Sequence, residues 1–222
     1  MSDKISQNGN ELEDLCPSKK ITKSSLANYE QLSSFNIPAS IVAIEDSLFS
    51  KCSLLKSFSV DSNNLHFASV DGILFSKNLD TLLCFPSNHQ FSTYTIPASV
   101  KSIGNSAFFE CYNLRSITIP TSVTSIGNSV FHGCSKLQSV AIPASVTSIG
   151  HSAFFGCSNL QSIDVESNNL NYVSRDGVLF TCNFEILVCF PPKHPITTYS
   201  IPTSVTSIDD YAFSDCSNLQ SI

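Results

Sequence analysis

Apolar and polar residues alternate in a pattern that recurs with a short, fixed period through the middle of this chain. In one unit, the run Leu114-x-x-Ile117-x-Ile119 places apolar side chains on one side and polar side chains on the other. Such period-two alternation predicts a short strand, and Pro120 ends it because proline cannot donate to a strand ladder. Val123 and Ile126, which follow the proline, predict a second inward-facing segment before the coil closes.

This unit is copied in tandem. Equivalent prolines and cysteines are evenly spaced from copy to copy, at Pro97, Pro120 and Pro143 and at Cys111, Cys134 and Cys157. Tandem units of short, fixed period stack as copies of one supersecondary unit. We therefore predict a solenoid with a parallel β-sheet on one face and short strands and turns on the other.

Two longer units each carry an insert, near 61–92 and 166–197. The inserts resemble each other, and their Asp-Gly pairs, at Asp71 and Asp176, occupy the same position in the two inserts. Each insert contains an apolar run, a polar turn and a second apolar run, which predicts a β-hairpin. A phenylalanine position shared by the units predicts one internal column formed by Phe108, Phe131, Phe154 and Phe213.

The two ends of the chain lack the regular pattern. Residues 1–24 carry a denser mix of charges and no repeat, so we predict a flexible N-terminal segment there and a solenoid over 25–222. The sequence stops at Ile222, in mid-strand of a new unit and without a polar capping repeat. Because such an end exposes core and an open sheet edge, we expect end-to-end association, another covering partner or a truncated product.

The repeated unit resembles a known family. Its pattern L-x-x-I-x-I-P-x-x-V-x-x-I-x-x-x-A-F-x-x-C is similar to the BspA-like, or Treponema-type, leucine-rich repeat over about 25–222. The S-x-D-G-x-L-F motif of the inserts commonly accompanies such repeats. The resemblance implies a leucine-rich repeat solenoid and a surface antigen or adhesin that binds host or microbial macromolecules.

Composition and motifs exclude several function classes. The net charge is −6 with only 14% charged residues, whereas a nucleic-acid face needs clustered Lys and Arg. The sequence contains no apolar run long enough to span a membrane and no readable signal peptide. Gly-rich phosphate loops, HExxH and Gly-x-Ser-x-Gly are absent, so we predict no enzyme activity and no cofactor.

The cysteines allow two interpretations. Five share one unit position, at Cys52, Cys111, Cys134, Cys157 and Cys216. They could form a disulfide or metal ladder, or they could be small buried hydrophobic residues; the absence of Cys-x-x-Cys or interleaved His favours buried thiols and no metal site. We expect the same of Cys84 and Cys189, whereas Cys16 and Cys182 are predicted to be the reactive thiols.

The histidines are candidates for catalysis, but their surroundings argue against it. His89 and His194 recur in matching loops without an acidic partner or nucleophile nearby in the sequence. His132 and His151 stand where other units have Phe and Asn. We therefore predict surface or half-buried histidines without a catalytic role.

The outward positions of the predicted parallel sheet form the candidate binding face. They are mainly hydroxyl and amide side chains: Ser57, Ser59, Thr93, Thr95, Arg115, Ser116, Thr118, Gln138, Ser139, Gln161, Ser162, Asp164, Thr198 and Ser200. One interpretation is a docking strip for a protein or glycan through many weak hydrogen bonds. The alternative is that Ser and Thr are soluble, strand-compatible residues copied with the repeat.

Two cellular settings remain open. Family resemblance places the protein at the cell surface, although no signal peptide or anchor is visible in the sequence. The alternative is a cytoplasmic leucine-rich repeat scaffold for intracellular partners. The lack of Asn-x-Ser/Thr sequons and the unpaired spacing of the cysteines favour that alternative, because oxidising compartments favour paired cysteines.

Overall fold

A computed structural model describes residues 19–25 and 29–222, which form a β-solenoid of about eight turns with almost no helix. In chain order, the strands of these residues are β1 (Lys20–Ile21), β2 (Ser34–Ile37), β3 (Ala43–Ile44), β4 (Ser57–Val60), β5 (Phe67–Val70), β6 (Ile73–Ser76), β7 (Thr81–Cys84), β8 (Thr93–Thr95), β9 (Ser102–Ile103), β10 (Ser116–Thr118), β11 (Ser125–Ile126), β12 (Ser139–Ile142), β13 (Ser148–Ile149), β14 (Ser162–Val165), β15 (Tyr172–Arg175), β16 (Val178–Thr181), β17 (Ile186–Cys189) and β18 (Ser207–Ile208). One-turn 3-10 helices lie at Lys23–Ser25, Tyr29–Gln31 and Leu48–Lys51.

The main strands of successive units lie side by side on one face of the solenoid; β2, β8, β10 and β12 lead to the unit prolines, whereas β4 and β14 lead into the inserts. β2 pairs with β4, β8 with β10 and β12 with β14, always in parallel and with equivalent residues directly opposite, as Thr93 is to Ser116. Their inward residues are buried, for example Ile117, Val140 and Ile163. The predicted parallel face is confirmed, and we call its outward side the outer strip.

The other sides of each coil are also joined from rung to rung. The two-residue strands β9, β11 and β13 form a second parallel ladder, which confirms the predicted short strands opposite the main sheet. On the third side, the Ser106 and Phe108 N–H groups donate to the Asn128 and Val130 carbonyls at 2.9 Å. Consecutive short coils therefore rest on each other through three sets of backbone hydrogen bonds.

Each insert contains the predicted hairpin and one further strand. β6 and β7 are antiparallel, and β5 precedes them to give a three-stranded meander; β15, β16 and β17 repeat it. The last strand of each meander joins the second ladder in parallel, with Leu82 opposite Ile103 and Leu187 opposite Ile208. The inserts are thus built into the solenoid wall.

Two buried asparagines hold the starts of the inserts. The Asn64 side chain donates to the Pro38 and Ile41 carbonyls at 2.7 and 3.0 Å and accepts from the His66 and Phe67 N–H groups at 2.8 Å. Asn169 makes the four equivalent bonds at the start of the second insert. Each amide satisfies four backbone groups, since its oxygen accepts twice and its nitrogen donates twice.

The phenylalanine column forms, with one change in membership. Phe108 stacks on Phe131 at 5.5 Å and Phe131 on Phe154 at 5.7 Å between ring centroids. The prediction is wrong for Phe213, which stacks on Phe190 at 5.3 Å in a separate core cluster. The reason is that the second insert supplies its own ring ahead of the next coil.

The predicted boundary at residue 25 stays a prediction. On its amino-terminal side, Lys20 and Ile21 pair in parallel with Ala43 and Ile44, and Ile21 is fully buried. At the other end, Ile222 is 65% exposed. The expected end-to-end association also stays a prediction.

Candidate interaction surface

The fourteen residues predicted for the binding face lie along the outer strip or at its border. All are exposed except Ser57 and Ser162, which are half-buried. Across the strands they stand opposite one another, as Thr95 does to Thr118 and Ser139 to Ser162. The parallel register therefore brings equivalent side chains from successive coils into rows.

The strip is polar but nearly uncharged. Of its fourteen residues, Arg115 and Asp164 alone are charged. Some side chains bond within the strip: the Ser59 hydroxyl donates to Asn36 Oδ1 at 2.9 Å, and the Ser162 hydroxyl donates to Asp164 Oδ2 at 3.0 Å. A surface of this kind can form many hydrogen bonds with a partner at a low desolvation penalty, since few full charges lose water.

The inserts interrupt this strip, which the sequence analysis did not predict. The Phe58 N–H donates to the Gly72 carbonyl at 2.8 Å, and the Ile163 N–H donates to the Gly177 carbonyl at 2.9 Å. An Asp-Gly tip therefore lies against β4 and another against β14. The tips separate the rows into segments at 34–60, 93–165 and 198–221.

Glycine is required at these tips for two reasons. Gly72 and Gly177 have φ of +76° and +80°, in the left-handed region where a Cβ is unfavourable. A Cβ at either position would also lie 2.9 Å from the Cβ of Ser57 or Ser162 beneath it. The close approach explains why these two serines are less exposed than their neighbours.

The matching histidines hold the same tips. His89 and His194 are 4% and 5% exposed, so the prediction of surface or half-buried side chains is wrong for both. His89 Nε2 donates to the Asp71 carbonyl at 2.9 Å, while its Nδ1 accepts from the Phe91 N–H at 3.2 Å. His194 repeats this arrangement on the Asp176 carbonyl at 2.6 Å. Both ring nitrogens are used by the backbone, which gives these residues a structural role.

The other two histidines differ in exposure. His132 is half-buried and stacks between Phe109 and Phe155, with ring centroids 4.4 and 4.7 Å away, and burial lowers its pKa. The His151 side chain is 82% exposed, and its Nδ1 lies 3.7 Å from Asp209 Oδ1. The predicted half-buried or surface positions are confirmed for these two histidines.

A recess of about 630 Å³ lies beside the first tip, on the border of the outer strip. Lys56, Asp71, Asn88, Gln90 and Phe91 are among the residues that line it. The volume falls in the range of about 300–1,000 Å³ typical of pockets for small ligands. Its two opposite charges, two amides and one ring could bind a sugar or a peptide segment.

The cysteines of the shared unit position lie inside the solenoid. Cys134 and Cys157 are fully buried, and their thiols donate to the Phe108 and Phe131 carbonyls of the preceding coil at 3.0 Å. Cys111 makes the same bond, at 3.6 Å, to Phe85. The predicted buried thiols are confirmed here, and the structure adds a hydrogen-bonding role that hydrophobicity alone did not suggest.

Burial also sets the reactivity of these thiols. It raises the pKa of Cys134, Cys157 and Cys189 well above the ordinary value, since a thiolate would lose its hydration. Cys216 is half-buried, and burial raises its pKa to about 11. Cys182 is exposed, as predicted, whereas Cys16 lies outside the described residues.

Two features are absent from the part of the chain that the structure describes. No group of three or more His, Cys, Asp or Glu side chains there is placed to hold a metal ion. Within residues 19–25 and 29–222, no helix has the length and apolar character needed to cross a bilayer.

The fold and its repeated strand motif define the class of leucine-rich repeat proteins. Within that class, the sequence matches the family described as "BspA type Leucine rich repeat region" in six copies, over residues 16–83, 81–189 and 187–222. The chain therefore belongs to the BspA-type leucine-rich repeat family.

Solved structures support this placement. A leucine-rich repeat protein from Eubacterium ventriosum is 26% identical, with a TM-score of 0.67 and coverage of 85% of this chain and 48% of that one. A leucine rich cell surface protein from Faecalibacterium prausnitzii is also 26% identical, with a TM-score of 0.58 and coverage of 86% and 56%.

Pneumococcal vaccine antigen PcpA shares the fold at 22% identity, with a TM-score of 0.55 and coverage of 86% of this chain and 54% of that one. The chain thus spans about half the length of these three proteins. No match was found among curated protein sequences.

Proposed function

We propose that this protein is a non-enzymatic interaction protein that binds a protein or glycan through the outer strip. The observation that carries the proposal is the row arrangement of exposed, nearly uncharged hydroxyl and amide side chains on consecutive coils. A partner with its own repeating hydrogen-bonding groups would meet the same donors and acceptors at each coil, at the spacing of about 4.8 Å between strands. Many weak contacts of this kind add up through multivalency.

We further propose a surface antigen or adhesin role at the cell surface, with host or microbial macromolecules as partners. Support comes from the BspA-type family and from the 26% identical protein described as a leucine rich cell surface protein. Nucleic acid is not a partner we propose, because the outer strip carries one Arg and no Lys among its fourteen residues.

A cytoplasmic scaffold is the second candidate, and the thiols favour it. Cys84, Cys111, Cys134, Cys157, Cys182, Cys189 and Cys216 form no disulfides. Reduced thiols are typical of reducing compartments, whereas secreted proteins tend to pair theirs. Surface labelling of intact cells with a membrane-impermeant reagent separates the two settings: labelled protein supports the adhesin, and purely internal protein supports the scaffold.

The binding face is tested by blocking it on consecutive coils. The double variant Thr95→Arg/Thr118→Arg places two large side chains on opposite positions of the strip. The control Thr124→Arg/Thr147→Arg makes the same change at equivalent, exposed positions of two consecutive coils next to the second ladder. Binding of the purified proteins to host cells, matrix proteins and a glycan array is then compared.

We expect the strip variant to lose at least about tenfold in affinity for a partner that the parent protein binds, and the control to retain it. Equal binding by both variants would place the partner elsewhere on the molecule. If the parent protein binds neither cells nor matrix proteins nor glycans, the adhesin proposal is wrong.

A further inference from the structure

Each insert leaves a junction where the coil before it meets the coil after it. At the first junction, residues 44–50 face residues 104–109; at the second, residues 150–155 face residues 209–211. The first is held by polar contacts: the Ser47 and Ser106 hydroxyls lie 2.8 Å apart, and Asn105 Nδ2 donates to Asp46 Oδ2 at 3.2 Å.

The first junction contains a cleft that is nearly absent from the second. Its volume is about 100 Å³, against about 20 Å³ at the equivalent place. Leu48, Leu74, Leu83, Phe85 and Phe109 contribute to its apolar lining. The volume is far below the roughly 300–1,000 Å³ of pockets that hold a whole small ligand, so it fits one side chain.

Aromatic residues account for the difference between the junctions. At the second junction, the rings of Phe155 and Tyr211 pack edge to face with centroids 4.7 Å apart. The residues at the same two unit positions of the first junction are Ser50 and Ser106, which are too small to cover the opening. The first cleft is open because its sequence lacks the two rings.

The entrance of the first cleft carries Glu45 and Asp46, whereas the second junction has Gly150 and His151 in the same unit positions and carries its carboxylates, Asp209 and Asp210, on the opposite coil. Glu45 Oε2 accepts from the Lys23 N–H at 2.9 Å, and Asp46 accepts from the neutral Asn105 amide. Among the described residues, neither the Glu45 nor the Asp46 carboxylate forms an ion pair. The ion pair that the described side chains do form joins His151 to Asp209, at the second junction. In the part of the chain that the structure describes, two carboxylates without an ion-pair partner therefore border an apolar cleft.

We propose that the first junction cleft binds one arginine side chain of a partner protein. The methylene groups of arginine would pack against the leucine and phenylalanine lining, while the guanidinium stays at the wet entrance. Its planar fork of donors suits the two acidic side chains, and its face can stack on the Phe109 ring. This site is separate from the outer strip, so it stands or falls independently of the proposed function.

The probe is the peptide acetyl-Gly-Arg-Gly-amide, titrated into the ¹⁵N-labelled full chain and followed by NMR. We expect saturable shifts of amides in the first junction, and at least about fivefold weaker binding when norleucine replaces arginine. Added salt is expected to weaken the binding of the arginine peptide, because the contact between its guanidinium and the carboxylates is electrostatic.

Two variants separate the cleft from unspecific attraction. Ser106→Tyr installs the ring found at the second junction; Tyr211 has φ of 62° and Ser106 has φ of 55°, so the backbone accepts the change. We expect it to abolish the saturable shifts. Glu45→Gln/Asp46→Asn keeps the shape and removes the charges, and we expect at least about a fivefold loss of affinity.

The matched control is Asp209→Asn/Asp210→Asn/Tyr211→Ser, which opens the second junction and removes the two carboxylates that line it. It should add no arginine site. The proposal is overturned if the parent protein shows no saturable shifts at the first junction, if the norleucine peptide binds equally well, or if Ser106→Tyr binds as the parent does.

Discussion

The two long units agree in their interiors and differ at their junctions. Inside, Asn64 and Asn169 make the same four bonds, and His89 and His194 hold the same Asp-Gly tips. At the junctions, one copy presents an open acidic cleft and the other an aromatic contact. The repeated residues therefore build the scaffold, and recognition is to be sought where the copies diverge.

The largest effect is expected from the buried asparagines, which test the shared interior. Asn64→Ala leaves two backbone carbonyls and two N–H groups in the interior without their partner. Because each unsatisfied buried group is unfavourable by about 1–3 kcal/mol, we expect a loss of at least about 3 kcal/mol in the free energy of unfolding. Denaturant unfolding followed by circular dichroism measures it.

Asn169→Ala should lose a similar amount if the two interiors are equivalent. The control is Asn63→Ala, which removes an exposed side chain and should stay within about 0.5 kcal/mol of the parent protein. A loss below about 1 kcal/mol for both buried asparagines would show that the four bonds do not stabilise the inserts.

A smaller loss is expected from the glycine tips. Gly72→Ala combines a left-handed backbone with a Cβ 2.9 Å from the Cβ of Ser57, so we expect about 2 kcal/mol of destabilisation by thermal unfolding. Gly133→Ala is the matched control: its φ is +73°, but the nearest atom is the flexible Glu110 side chain at 3.0 Å. If both variants lose the same amount, the contact with Ser57 contributes nothing.

The period of the sequence predicted most of the fold, because the Leu, Ile, Val and Phe positions that define the period are the core. The first strand of each insert was missed, since Phe67-Ala68-Ser69-Val70 alternates weakly and shows no clear apolar face. Phe213 was misplaced because the sequence does not show that Phe190 comes to lie beneath it.

Polar residues with local roles were harder to predict. Asn64 stands in Ser-Asn-Asn-Leu, which indicates a turn; its reach to the Pro38 carbonyl depends on the preceding coil. Ser106 and Tyr211 both adopt left-handed backbone conformations, although neither residue type signals one. The outer strip was readable from alternation, whereas the junction cleft depends on residues from coils that an insert separates in the chain.

Alkaline pH is expected to lower the free energy of unfolding, and the buried Cys134 thiol makes a measurable contribution to that loss. Burial raises the pKa of Cys134 well above its ordinary value of 9.0, so the unfolded chain loses this proton first as pH rises. Stability is therefore unaffected below pH about 9 and falls above it, by up to about 1.4 kcal/mol per pH unit for each such thiol.

The measurement is the free energy of unfolding of the parent and of Cys134→Ala at pH 7 and pH 10, under reducing conditions. Between pH 7 and pH 10, the free energy of unfolding of the variant should fall by about 1.4 kcal/mol less than that of the parent. The difference is this small because only the last pH unit of the interval lies above the ordinary thiol pKa. Equal losses would mean that the thiol ionises as easily in the folded protein as in the unfolded chain. Cys182, which stands where the first insert has Lys77, is exposed, and Cys182→Ala is the control for removing a thiol from the surface.

The smallest change in stability is expected from substitutions at the two junctions, where the copies differ. Tyr211→Ser removes the edge-to-face contact with Phe155, and we expect a loss of about 1 kcal/mol, within the range of about 0.5–1.5 kcal/mol for aromatic pairs. Ser106→Tyr alone should gain no such contact, because Ser50 stands where the second copy has Phe155.

Transplanting both rings completes the test. In a double-mutant cycle of Ser50→Phe and Ser106→Tyr, followed by denaturant unfolding, we expect a favourable coupling of about 0.5–1.5 kcal/mol. Coupling of that size would show that two side chains suffice to convert the first junction into the second. Zero coupling would mean that the surrounding residues, such as Leu48 in place of Ala153, set the geometry of each junction.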